Sequence, residues 1–342
     1  MPCLAGQARG ISTLGTRTIT RLSRLSIRQL STSKTANELR KVPTLSSWEP
    51  DVFEKAYKQS VPGRLPYSKE HLPSACSRWF IHDNNPDFHL FSSDRGQEHS
   101  GLNVPSSSEL RTAFWSEHES TFVPLEVTTR KDNNGENFER IEAPLKILLA
   151  YLSNAPAPFR GPSQASDDKL SIYLAQCELS ALPQALQDDV PVPRLLRPST
   201  VAGIKGDIYA SSLWLGRPPT YTPLHRDPNP NLFIQLSGRK TIRLLPPEIG
   251  EALYHDVMTS LTPDSLSFSS RIRGDEMMAG PQKIALHDAI WEESSNYNEL
   301  VRTHCQETTL GLGDTLFTPK GWWHSVKGIG TGITASVNWW FR

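Results

Sequence analysis

Residues 221–247 read YTPLHRDPNPNLFIQLSGRKTIRLLPP, with His225-Arg226-Asp227 near the start. In an extended strand, successive side chains point to opposite faces. His225 and Asp227 therefore share one face, and Arg226 takes the other. An imidazole and a carboxylate on one face make two of the three ligands of a facial non-haem Fe(II) site. The third should be a distant histidine on another strand. His324, in the stretch GDTLFTPKGWWHSV at 313–326, meets that requirement at the end of an apolar, strand-like run. The chain has ten histidines, and of these only His225 is followed two residues later by a carboxylate. Thr222, Asn231 and Lys240 flank the triplet. A hydroxyl, an amide and an ammonium converging beside an iron would suit a dicarboxylate cosubstrate.

With these residues in view, the chain resembles the JmjC or cupin-like 2-oxoglutarate oxygenases, and most of all their small JmjC-only hydroxylases. The resemblance runs from about Val42 to Arg342. It is strongest over Tyr173–Glu248 and Gly313–Phe341 and weak over Tyr254–Thr309, where this chain is longer. It implies a mainly β fold with flanking helices, a double-stranded β-helix of the jelly-roll type. It implies His225, Asp227 and His324 as ligands of catalytic Fe(II), with 2-oxoglutarate and O2 as co-reactants. Lys240, Thr222 and Tyr173 would meet the far carboxylate of 2-oxoglutarate, Asn231 and Asn338 would line its pocket, and Trp214 matches an aromatic of the small hydroxylases. The reaction implied is C–H hydroxylation with release of succinate and CO2.

Composition sets outer limits. The 342 residues include 36 basic and 36 acidic side chains, 27 prolines and 37% hydrophobic residues. This suits a loop-rich globular chain better than a helical bundle. No apolar run approaches the roughly 18 residues of a membrane span. Cys3, Cys76, Cys177 and Cys305 form no CxxC pair and read as free thiols of a reducing compartment.

Residues 1–30 hold Arg9, Arg17, Arg21, Arg24 and Arg28 and no acid. Four of the arginines share a helical face, and Ser and Thr are frequent. That is the composition of a mitochondrial transit peptide, with a processing site near Leu30. The segment 1–40 is accordingly assigned to an N-terminal address, with cytoplasm or nucleus as the alternative to the matrix. Taking five basic residues from 36 leaves 31 against 36 acidic, a net charge of −5. Such a balance disfavours binding driven by phosphate neutralisation. A protein or peptide substrate is the expectation, with a nucleic-acid substrate still open, no membrane partner, and a monomer.

Residues 41–165 are expected to flank the barrel, and 166–342 to form it. A helix is expected over 46–59, a strand over 122–129, a turn at 131–136, a helix over 141–153, a Pro/Gly/Ser linker over 156–168 and a short helix over 182–187. Residues 92–108 read as a surface loop. The strand-like run 170–174 opens the barrel, and after Gln187 the pattern is β throughout. Ser237-Gly238-Arg239-Lys240 is expected to be a hairpin turn between two apolar strands. Lys240 is in phase with Ile242 and Leu244 and should point inward. Arg226 and Arg239 should be solvated. The insertion at 255–309 should be mostly surface, with His255, His287 and His304 as surface residues. Trp322, Trp323 and Trp339 should pack the core, with Trp340 open to a substrate role. Three rival functions share the site: a lysine demethylase, a tRNA-base hydroxylase and a non-catalytic metal-binding cupin.

Overall fold

The computed structural model describes residues 38–82, 108–130, 136–153, 170–261 and 280–342. Nearly all of the basic N-terminal segment, its processing site, all of the 92–108 stretch except Ser108, which is buried in a strand rather than in a surface loop, most of the 131–136 turn, the 156–168 linker and the charged middle of the insertion lie outside those residues.

The N-terminal part runs β1 (Arg40–Lys41), a helix Pro50–Gln59, β2 (Gly63–Leu65), the ribbon β3 (Phe80–His82) with β4 (Ser108–Leu110), β5 (Phe122–Arg130), β6 (Glu136–Pro144), a helix Leu145–Ser153 and β7 (Leu170–Glu178). Eight further strands follow: β8 (Ile208–Gly216), β9 (Thr220–Arg226), β10 (Asn231–Ser237), β11 (Arg239–Leu245), β12 (Gln306–Leu310), β13 (Thr315–Thr318), β14 (Trp323–Ile329) and β15 (Thr334–Phe341). One sheet has the order β2-β13-β10-β15-β8-β7-β5-β6, and the other β1-β12-β11-β14-β9. Strands β8 to β11 thus alternate between two sheets, and β12 to β15 do so again, β12 pairing antiparallel with β11 after the intervening helical segment. This is the strand order of a double-stranded β-helix, and the flanking helices cover its outside.

Side-chain alternation explains how each strand serves two environments. On β15, Val337, Trp339 and Phe341 face the large outer core with Phe53 and Ala56 of the Pro50–Gln59 helix. Asn338 and Trp340 face the space between the sheets. Pro50 opens that helix, where its missing N–H is no loss. On β10, Leu232, Ile234 and Leu236 face the same core, while Asn231 and Phe233 face inward. Ile242, Leu244, Leu310 and Leu316 fill one end of the interior.

Four features differ from the sequence reading. Ser237-Gly238 is not a hairpin: β10 and β11 lie in different sheets and do not pair. Gly238 carries the chain across with φ +64, and a Cβ there would sit 2.4 Å from the Ile333 carbonyl oxygen. Residues 141–144 belong to β6, whose long hairpin with β5 holds them extended, so the helix starts at Leu145. Between Leu245 and Gln306 the described residues are helical rather than β, with helices Pro247–Leu261, Gly280–Trp291 and Asn298–His304. These bury Leu253, Val257, Leu286 and Ile290 against Leu224 and Trp323 on the outer face of the smaller sheet, a second core rather than a surface excursion. Arg226 is not simply solvated: it pairs with Glu251 at 2.5 Å and lies over the Trp323 ring.

Candidate metal and anion site

β9 and β14 are antiparallel neighbours, and their register sets His225 opposite His324. The two rings lie 4.1 Å apart between centroids. Asp227, just past the end of β9, brings Oδ1 to 3.9 Å from His225 Nε2 and Oδ2 to 3.6 Å from His324 Nε2. Ligand atoms about 2.1 Å from one ion and near right angles to each other stand about 3 Å apart. Each side chain needs to close by less than about 1 Å to meet that geometry.

The tautomers also suit a metal. His225 Nδ1 lies 2.9 Å from the Pro223 carbonyl oxygen, and His324 Nδ1 lies 3.3 Å from that of Trp322. A carbonyl only accepts, so each Nδ1 carries the proton and each Nε2 offers its lone pair toward Asp227. Burial, and then the neighbouring His324, push the His225 pKa down to about 4, so this imidazole is neutral at physiological pH. Asn231 Nδ2 donates to Asp227 Oδ2 across 2.9 Å and fixes the carboxylate. Two imidazoles and one oriented carboxylate on one side of a cavity are a donor set that fits Fe(II).

The cavity opens between the sheets, with about 500 Å³ of empty space that includes its open mouth. All the sequence-named residues except Tyr173 line it: Trp214, Thr222, Asn231, Lys240 and Asn338 together with the triad. Tyr173 comes from the adjoining β7 and reaches Lys240, its hydroxyl 3.4 Å from Nζ. Burial and the charge of Glu126 push the Tyr173 pKa up, so the phenol stays neutral. Gly216 makes room for this ring, since a Cβ there would lie 2.4 Å from it. Trp214 Nε1 donates to Asn338 Oδ1 at 2.7 Å, which orients the amide and leaves its Nδ2 buried without a partner.

Lys240 does point inward and is only 3% exposed. Its Nζ lies 2.7 Å from Ser336 Oγ and within 6.0 Å of the ring centroids of Phe233, Trp214 and Tyr173. Among the described residues no carboxylate pairs with it. Burial alone pushes its pKa down to about 7. A lone ammonium in such surroundings is costly unless an anion meets it.

Ser336 is the partner that sequence reasoning missed. Its signal is its place two residues before Asn338 and four before Trp340, on one face of one strand. Trp340 also lines the cavity, whereas Trp322, Trp323 and Trp339 are buried in the cores. Of the insertion histidines, His255 pairs with Glu251 at the surface, and His287 stands edge-on to the Tyr221 ring. His287 forms a second grouping with Asp288 and Glu292, both exposed carboxylates.

Comparison with known proteins agrees with this geometry. The chain is 30% identical over 168 residues to lysine-specific demethylase JMJ30 of Arabidopsis thaliana, covering 49% of this chain and 33% of the relative. It is 31% identical over 172 residues to Jumonji C domain-containing protein 5 of Drosophila melanogaster, covering 49% and 36%. JmjC domain-containing protein D of Dictyostelium discoideum matches at 29% over 217 residues, covering 61% and 42%. The chain thus spans well under half the length of these curated relatives. A family model described as a cupin-like domain matches residues 35–342, nearly all of the sequence. The two alternating sheets and the His-x-Asp…His cluster between them are therefore those of a member of the cupin-like domain family, to which this chain belongs.

Proposed function

We propose that the protein is an Fe(II)- and 2-oxoglutarate-dependent oxygenase that hydroxylates a C–H bond, with a protein or peptide side chain as substrate. The observation that carries this reading is the buried, unneutralised Lys240 in the same cavity as His225, Asp227 and His324. A metal-binding cupin without a dicarboxylate cosubstrate has no use for that cation.

His225, Asp227 and His324 would hold Fe(II), which with O2 and 2-oxoglutarate supplies the oxidising power for hydroxylation and leaves succinate and CO2. The chain's own residues do the rest. Lys240 would neutralise the far carboxylate, with the Ser336, Thr222 and Tyr173 hydroxyls completing its hydrogen bonds. Asn231 keeps Asp227 in place, and the Trp214–Asn338 pair gives one wall a fixed donor. Ile242, Leu316 and Val326 keep water from the interior and strengthen each of these polar contacts.

The test is Fe(II)-dependent conversion of 2-oxoglutarate to succinate by the purified protein, supplied with peptides from a proteolysed extract. Mass spectrometry then distinguishes the products. A gain of one oxygen on a side chain supports hydroxylation, while loss of a methyl group with formaldehyde release supports N-demethylation. The second reading is favoured by the names of several relatives, among them the Arabidopsis lysine-specific demethylase JMJ30. No succinate under any of these conditions would count against both.

A further inference from the structure

Thr222 and His225 both line the cavity, yet they lie three residues apart on one strand. Regular alternation would send them to opposite faces. The ladder between β9 and β14 resolves this with a register shift. His324 pairs with His225 and Val326 with Thr222, so Pro223 and Leu224 together face the single residue Ser325. This is a β-bulge, and proline is well placed in one because a ladder donor is not required there. The bulge turns Leu224 out into the helical core and His225 in.

Ser325 sits at this bulge, 0% exposed. Its hydroxyl donates to the Thr222 carbonyl oxygen at 2.9 Å and accepts from Trp291 Nε1 at 2.9 Å. Trp291 is the last residue of the inserted Gly280–Trp291 helix. Its ring lies against two cations, with Arg243 Cζ 4.4 Å and Lys327 Nζ 4.5 Å from its centroid. Arg243 is tied in turn to Glu307 at 2.7 Å and to the Ile290 carbonyl. One continuous chain of contacts runs from the insertion to the backbone that aims a metal ligand.

We propose that Trp291 and Ser325 are positioning residues: in series, they lock the β9 bulge that turns Thr222 and His225 into one cavity. The inserted helix is thereby part of the metal site's support, and not an appendage to it. The proposal rests on the metal reading above, and one arm of its test does not need a metal.

The variants are Ser325→Ala, Trp291→Phe (which keeps an aromatic ring beside the cations and removes the N–H), and the two combined. Lys283→Met is the control, because it breaks the same helix's contact with Glu136 and leaves Ser325 alone. Co(II) affinity and the visible spectrum of the Co(II) protein are measured well below each variant's melting temperature. Hydrogen exchange of the 220–226 amides is followed in metal-free protein. Expected are about tenfold weaker Co(II) binding in Ser325→Ala, the range found when outer-shell partners of metal ligands are removed, and a shifted Co(II) spectrum. Trp291→Phe should lie between it and the parent, with the double variant no worse than Ser325→Ala. Exchange at 222–225 should quicken in these variants and not in Lys283→Met. Parental affinity, spectrum and exchange with only a lower melting temperature would overturn the proposal. So would an equal loss in Lys283→Met, which would make helix docking alone responsible. A parent that binds no Co(II) while exchange responds as expected would sink the metal reading and leave the bulge lock standing.

Discussion

Asn231 and Asp227 are joined across 2.9 Å, the amide Nδ2 donating to the carboxylate Oδ2 that faces His324. A carboxylate only accepts, so this bond fixes which way the Asn231 amide points. Removing it should let Asp227 swing. Asn231→Ala is expected to weaken Co(II) binding about tenfold. Asp227→Ala should abolish stoichiometric binding while leaving the far-ultraviolet circular dichroism unchanged. Tight binding by Asp227→Ala would show that the ion sits elsewhere.

Lys240→Met keeps the aliphatic stem and removes the charge. A charge-assisted hydrogen bond is worth about 1.5–3 kcal/mol, so 2-oxoglutarate affinity should fall roughly ten- to a hundredfold. Co(II) affinity should stay at the parental value. Calorimetric titration of each ligand in turn separates the two effects, and undiminished 2-oxoglutarate binding would remove the cosubstrate assignment.

The same lysine predicts a pH dependence. Burial holds its pKa at about 7 in the ligand-free protein, well below the roughly 10.4 of a solvated lysine. Between those values the unfolded chain binds more protons than the folded one. This group's contribution to stability is therefore complete above about 10.4 and is lost as pH falls through about 7. Binding a carboxylate dianion calls for the charged form. Above pH 7, binding should take up a proton, and affinity should drop by up to about tenfold per pH unit. Below pH 7 this contribution should level off. Titrations at pH 8 in buffers of different ionisation enthalpy should show an uptake approaching one proton, and zero uptake would mean that Lys240 is already charged.

Gly238 predicts a stability change. Its φ of +64 and the 2.4 Å approach of a Cβ to the Ile333 carbonyl leave no room for a side chain. Gly238→Ala should destabilise by at least about 1–3 kcal/mol, seen as a lower midpoint of urea unfolding. An unchanged midpoint would mean that the crossing tolerates an ordinary residue.

The N-terminal address is tested apart from the fold. Residues 1–40 fused to a fluorescent protein should carry it into mitochondria, and changing Arg17, Arg21, Arg24 and Arg28 to Gln should leave it outside. Nuclear or cytosolic fluorescence of the unaltered fusion would end the matrix assignment.

Much of the cavity is legible in the sequence because it depends on parity. His225 and Asp227, Lys240 with Ile242, and Asn338 between Val337 and Trp339 all declare their faces by period two. Parity also marks what is not legible. Thr222 and His225 share a cavity only through a bulge, and no residue type announces a bulge on its own strand. Ser237-Gly238 between two apolar runs looks the same whether the next strand pairs with the last or crosses to the opposite sheet. The choice is made by Ile333 and by the partners β13, β14 and β15, all distant in sequence. The insertion misleads for a different reason. Its charged middle suggests a solvated loop, whereas its helical ends carry apolar side chains that complement Leu224 and Trp323.

The central place of β15 bears on how the molecule is made. It is the last described strand in the sequence, yet it lies between β8 and β10, with Thr334 paired to Gly216 and Trp340 to Asn231. A ribosome delivers β8 and β10 long before the strand that joins them. Until it arrives, both expose unpaired backbone and apolar faces, the state in which chains aggregate or recruit chaperones. The larger sheet therefore stays divided until β15 is made. A nascent chain halted before residue 334 should remain protease-sensitive along its whole barrel, however much of the His-x-Asp…His cluster it already contains.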